Sequence, residues 1–287
     1  MKKFILKILL FSIFLLIINV IFKDIMDRIY FNEYYQIDVE KEHYLLADSH
    51  GGVIGSFENE KIYNFSNGGD SYLDMKNKLN FLINYTKVRT IIITADDHTL
   101  SPYRETSNNS DRSAFFKSRE DFPNYVEFIK EKYFFPNLVL LEPKYGVLLN
   151  NYFKSFVLPS LQTDKSWNML SERVKKQKSL DRFKDQFVYA KPSPILEKEL
   201  LEIIKISKEN GIEIIGIKFP LSKQYKEVLG AKSFYADSLL LKNKIKIYNF
   251  NNLNFENDEF FHDQDHLNET GAKVFKKIFI DSIFHSI

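Results

Sequence analysis

"HYLLADSHGG", His43–Gly52, runs an apolar stretch into a tight glycine-rich turn. The stretch His43–Asp48 reads as a strand, stopped by Ser49-His50-Gly51-Gly52. The pattern recurs downstream. Lys61–Ser66 predicts a second short strand ending in Asn67-Gly68-Gly69, and "LDMKNKLNFLINY" (73–85) has helical spacing. Val88–Ala95, "VRTIIITA", is apolar enough for a strand buried on both faces. It opens onto the polar loop that begins Asp96-Asp97-His98. A further helix–strand pair is expected at 122–133 and 137–142, then a mostly helical insertion at 142–190. Ser193 as cap, Pro194 in the first position and Gly211 at the end predict a helix over 193–211. Strands at 212–220 and 244–250 follow, and a last helix begins near Asn268. Strands alternating with helices at these intervals indicate βαβ units and an α/β fold with a mostly parallel sheet.

Ligands and reactive groups of such sheets gather beyond the carboxyl ends of the strands. The residues to inspect are therefore Asp48, Ser49 and His50, then Asn67, Gly68 and Gly69, then Asp96, Asp97 and His98. The loop after the last strand adds "DQDHLNETG", Asp263–Gly271, which holds one of only six histidines. A serine needs a base to become a nucleophile, and the base needs a group to orient it. Ser49 as nucleophile, His266 as base and Asp263 as orienting acid meet that requirement, with Asp265 as a second candidate beside His266. Backbone N–H groups at Ser49 and Gly69, or the His98 ring, would face the developing oxyanion. Each piece alone is more often a structural turn or a solvated side chain. Their joint occurrence, in this order and after these strands, favours a site.

Composition removes several alternatives. With a net charge of +2 and no basic stripe, the chain offers no electrostatic case for nucleic acid. It has no cysteine, so thiolate nucleophiles, disulfides and zinc ribbons are excluded. His262, Asp263, Asp265 and His266 make at most a partial metal site; neither a metal nor a cofactor is required. At the N-terminus, Phe4–Phe22 is apolar except for Lys7, Ser12 and Asn19. That is about the ~20 residues needed to cross a bilayer, and no small-residue cleavage site follows. The expected organisation is a membrane anchor at 1–22, a juxtamembrane segment at 23–40 and an α/β domain at 41–287. A large remainder behind a single anchor is expected outside the cytoplasm, in the periplasm or at the cell surface.

Taken together, these motifs resemble the SGNH (GDSL-type) hydrolase superfamily, in particular its membrane-anchored, surface-polysaccharide acyl-transfer branch. Ala47-Asp48-Ser49 is similar to the family's G-D-S block, with Ala for Gly. Asn64, Ser66, Gly69 and Ser71 are similar to its second block, and Asp263 with His266 to its D-x-x-H block. The resemblance spans about 43–275. It implies a three-layer α/β/α fold with a flavodoxin-like sheet, a Ser49 nucleophile, an oxyanion donor at Gly69 and no cofactor. It further implies a serine esterase or O-acyltransferase acting on a surface glycan or its acyl donor, with a membrane acyl-donor protein as a partner. The third block departs. Asp96 stands where the family carries an oxyanion-binding Asn, and an ionised carboxylate only accepts hydrogen bonds. That departure keeps open a non-catalytic glycan-binding or assembly role on the same scaffold.

Overall fold

A computed structural model describes residues 1–57, 61–157, 166–251, 253 and 257–284. The chain forms two compact units: Met1–Ile37 with Asp111–Asp164, and Asp38–Ser110 with Lys165–Ile287.

The larger unit is built on five strands, β1 (His43–Leu46), β2 (Ile62–Asn64), β3 (Thr90–Thr94), β4 (Glu213–Lys218) and β5 (Lys246–Asn249). Every neighbouring pair is parallel, in the order β2-β1-β3-β4-β5. This is the doubly wound, flavodoxin-like order. The expected α/β class is therefore observed. β3 shows why the strands form here: Thr-Ile-Ile-Ile-Thr is β-branched throughout and buried at all five positions. Such residues suit a pleated surface, and polar alternation is missing because both faces are covered. On one face Leu45, Ile92, Ile215 and Ile217 share a core with Phe275, Phe279 and Ile283 of the terminal helix Glu269–Phe284. Helices Tyr72–Tyr85 and Pro194–Glu209 pack on each other and bury Leu79, Leu82, Leu200 and Ile203. Ser193 caps the second of these by accepting from the Leu196 N–H, with Pro194 at its first turn as predicted.

The strand order reverses between β1 and β3, so the loops leaving their carboxyl ends diverge and leave a crevice. Ser49 follows β1 and Asp96 follows β3, which puts both at this switch point. The terminal helix delivers a third loop to the same end. Asn268 caps it, accepting from the Gly271 N–H at 3.0 Å.

The smaller unit contains the helix Lys2–Met26, continued by turns through Tyr35. This helix is long and apolar enough to cross a membrane. Met26 and Phe31 bury against Val139, Tyr145 and Leu149, the last two on the helix Pro143–Val157. Two expectations are corrected here. The stretch 137–142 is not a strand: Val139–Leu141 is a 3₁₀ turn, because Val139 finds its cover against the N-terminal helix instead of the sheet. The departure from the sheet-bearing unit covers 111–164, not 142–190. Helix Glu172–Gln186 belongs with the sheet, packed on Lys223–Leu229.

Gly271 is the tightest point of the terminal helix. A Cβ there would lie 2.2 Å from the Phe260 carbonyl oxygen and 2.9 Å from its Cβ. Since Phe260 closes the loop that carries Asp263 and His266, Gly271→Ala is expected to push that loop away. Overpacking of this kind costs about 1–3 kcal/mol. Thermal unfolding should show a lowered Tm; an unchanged Tm would mean that the loop yields without cost.

Candidate active site

Ser49 opens a single helical turn, Ser49–Gly52, directly after β1. Asp48 caps that turn, its Oδ1 accepting from the His50 N–H at 3.0 Å. Gly51 is required by close approach: a Cβ there would lie 2.6 Å from both Ala47 Cβ and Ser66 Oγ. The turn therefore presses against the strand and the second loop, and Ser49 remains partly exposed at its edge.

His266 reaches Ser49 from 217 positions away, with Nε2 2.8 Å from Oγ. Its Nδ1 lies 2.9 and 3.0 Å from the two carboxylate oxygens of Asp263. Asp263 also organises the backbone, its Oδ1 accepting from the N–H groups of Asp265 at 3.0 Å and His266 at 2.9 Å. Phe261 and Leu267 form an antiparallel bridge that closes the loop around them. The three side chains singled out in the sequence thus meet in one hydrogen-bonded line. With Nδ1 carrying a proton toward Asp263, Nε2 is left to accept from the serine hydroxyl. The His266 side chain is 17% exposed, enough to be approached from solvent. Asp265, the other candidate, is fully buried and its Oδ1 lies 3.3 Å from the same Nδ1.

Asp265 faces inward. Its Oδ2 accepts from Arg182 Nε at 2.7 Å and Gln186 Nε2 at 2.9 Å, and lies 3.5 Å from His50 Nε2. The other nitrogen of His50, Nδ1, lies 2.7 Å from Asp96 Oδ2. Burial works against a charge on His50, but Asp48 and Asp96, together with Asp265, overcome it and hold the imidazolium well above the usual histidine range. Burial likewise opposes ionisation of Asp48 and Asp265. His50, His98 and Arg104 around Asp48, and His50, Arg182 and His266 around Asp265, nevertheless keep both well below the ordinary carboxylate range. His98 goes the other way: its burial outweighs Asp48 and lowers it.

The other predicted residues divide. Asp96 has both of its oxygens committed, Oδ2 to His50 at 2.7 Å and Oδ1 to the Phe219 N–H at 2.9 Å. His98 is not a free donor: it is buried, with Nε2 3.2 Å from Asp48 Oδ2. Asp97 pairs with Lys218 at 2.6 Å, and the Asn67 side chain accepts from Lys78 at 2.7 Å. Gly68, not Gly69, is the glycine against Ser49, since a Cβ built on it would come 3.9 Å from Ser49 Cβ. Gly69 has φ +92° and abuts Asn109. Asn109 donates to Gly68 O at 2.9 Å and Asp70 Oδ1 at 2.7 Å, which fixes this loop. Arg104, Arg182, Gln186 and Asn109 carry no motif that would have marked them in the sequence. Only the i, i+4 spacing of Arg182 and Gln186 hints that they share a target.

Metal-ligand atoms of Asp48, His50 and His98 do come together, as do those of His50, Asp265 and His266. His50 is common to both sets, and among the described residues His262 joins neither.

A hydrogen-bonded Ser–His–Asp line thus stands at the switch point of a doubly wound sheet. No family model matches the chain, and no curated protein matches its sequence. Among solved structures it is similar to a GDSL-like lipase from Bacteroides thetaiotaomicron, at 8% identity over 89% of this chain and 96% of that one, TM-score 0.42. It is also similar to an α/β hydrolase enzyme from the metagenome of Lake Arreo, at 10% identity over 87% and 96% of the two chains, TM-score 0.38.

The buried histidines set a pH dependence of stability. His50, raised on folding, contributes fully below its unfolded value of about 6.5, and the contribution is lost as pH climbs through the raised value. His98, lowered, costs stability as pH falls below about 6.5. Asp48 and Asp265, depressed, contribute at every pH above roughly 4 and are lost only in strong acid. The optimum from this cluster should therefore fall near pH ~6.5. The single tryptophan, Trp167, is buried in the sheet-bearing unit and reports its unfolding. The Tm read from its emission should decline on the alkaline side in the parent protein. In His50→Gln the Tm should be lower throughout and should lack that alkaline decline.

Proposed function

We propose that this protein is a serine-dependent acyl-transfer enzyme, an esterase or O-acyltransferase, working through an ester of Ser49. The observation that carries the reading is the continuous line from Ser49 Oγ to His266 Nε2 at 2.8 Å and from His266 Nδ1 to Asp263 at 2.9 Å. As Oγ attacks the carbonyl carbon of an ester, its proton passes to His266 Nε2. The imidazolium so formed is stabilised by Asp263. The carbonyl oxygen becomes an oxyanion within reach of backbone N–H groups at Ser49 and the Gly68-Gly69 loop. His266 then returns the proton to the departing alkoxide, leaving an acyl-serine. A second hydroxyl, from water or a sugar, repeats the sequence in reverse and frees Ser49.

A cell-surface glycan ester, or the acyl donor for such a glycan, is the substrate class we assign. Support comes from the sequence resemblance and from a helix long and apolar enough to tether the enzyme at a membrane. The same resemblance favours a membrane acyl-donor protein as partner and an extracytoplasmic catalytic unit.

Three variants separate the roles. Ser49→Ala and His266→Ala should each lower kcat by about 10³-fold or more on an activated ester. Both should also abolish labelling by a fluorophosphonate probe. Asp263→Asn should lose about 10⁴-fold, since an amide no longer holds the required tautomer. Asp265→Asn should act mainly through stability. Parent protein that is folded yet takes no probe would favour a glycan-binding role on this scaffold. Mass spectrometry of protein incubated with acylated polysaccharide should find the acyl group on Ser49. Its onward transfer to sugar rather than water would mark a transferase.

A further inference from the structure

The smaller unit has a surface that neither the proposed reaction nor its own core explains. Asn19 is a polar residue inside the apolar run Phe4–Phe22, and it is buried in the folded chain. Its Nδ2 donates to the Asn137 carbonyl at 2.7 Å, and its Oδ1 accepts from the Leu140 N–H at 3.3 Å. Both partners lie in irregular turns, outside any regular helix ladder. Three residues further on, Phe22 meets Phe153 with ring centroids 6.4 Å apart. The segment 137–153 therefore lies alongside the last turn of the apolar run rather than beyond it.

That placement fixes a depth. Asn19 stands roughly 4–5 Å inside the end of the run at 1.5 Å per residue. If the helix spans a bilayer, Leu140 sits at a depth comparable to the ~5–10 Å reached by interfacial amphipathic helices. The side chains around it match such surroundings. Tyr133, Phe134, Phe135, Leu140, Leu141 and Phe156 are each 41–67% exposed. All six fall within residues 133–156, and large exposed apolar patches mark membrane or partner sites. Irregular backbone at hydrocarbon depth must have its polar groups satisfied by protein. The Asn19 amide does this for the turn at 137–140, which accounts for an asparagine in an otherwise apolar span.

We infer that the segment Tyr125–Phe156 is embedded in the outer layer of the lipid bilayer beside the N-terminal helix, its exposed apolar side chains covered by acyl chains. The anchor is thus a helix with a lipid-immersed collar. Charge does not drive the insertion: Lys144 is already paired with Asp111 at 2.9 Å, and Lys130 with Glu127 at 3.1 Å. Uncharged phosphatidylcholine should therefore suffice as the lipid. The inference stands apart from the acyl-transfer chemistry and survives its failure.

The absence of native cysteine makes the test direct. Full-length Leu141→Cys and Phe156→Cys, each carrying an environment-sensitive nitrobenzoxadiazole label, are reconstituted into phosphatidylcholine vesicles. Phe11→Cys in the span and Val188→Cys on the sheet-bearing unit serve as references. Both positions are exposed, so the substitutions leave the core packing intact. Bromines on the acyl chains should quench the labels at 141 and 156 to within about twofold of the label at 11, while aqueous cobalt reaches them several-fold less than the label at 188. Labels at 141 and 156 as open to cobalt as that at 188 would overturn the inference. Labels shielded from cobalt but untouched by brominated chains would overturn it too, because a protein, such as a second copy, would then cover the surface.

Discussion

The site depends on a buried charge network in which His50 is the cation shared by three carboxylates. His50 brings an imidazolium among Asp48, Asp96 and Asp265, three carboxylates from the end of β1, the end of β3 and the final loop. Without its cations the site would carry like charges into a space shielded from water, where repulsion is strong. With His50, each carboxylate is drawn toward a common centre. The same three loops bring Ser49 to His266, with Nε2 2.8 Å from Oγ. Arg104 and Arg182 complete the balance, Arg104 at 3.1 Å from Asp48 and Arg182 at 2.7 Å from Asp265.

Much of this was legible because it is local. The strands announced themselves through β-branched runs ended by polar or glycine-rich turns, and Asp263 with His266 through spacing and the Asn268 cap. What escaped was non-local. Nothing near Arg182 or Gln186 shows that their helix crosses to Asp265. Nothing near Asn109 shows that it pins Gly68. His98 was a plausible oxyanion donor from its place after β3, yet its ring turns inward to Asp48, a partner fifty residues earlier. The same packing commits both oxygens of Asp96, one to His50 and one to the Phe219 N–H. The stretch 137–142 is hard to read because a few apolar residues carry no usable period; the N-terminal helix, not the sheet, covers Val139.

The second loop shows a related economy. Lys78 is completely buried, and its ammonium donates to the Phe65 carbonyl at 2.7 Å, to Asn67 Oδ1 at 2.7 Å and to Asp70 Oδ2 at 2.5 Å. Asn109 holds Gly68 and Asp70 from the opposite side. In the proposed reaction this loop presents backbone N–H groups to a developing charge, and preorganised donors are what make such stabilisation effective. Here rigidity comes from one cation and one amide, both out of reach of solvent competition.

The bridge between Phe261 and Leu267 has a quieter consequence. It ties off a small ring of chain in which acid and base are both mounted, and the acid is bonded to the base's own main chain as well as to its imidazole. The two therefore travel as a single rigid cartridge. Tertiary structure has only one separation left to set, that between the cartridge and the hydroxyl on the other rim of the crevice. Under the proposed reaction, activation of the serine then turns on that single separation.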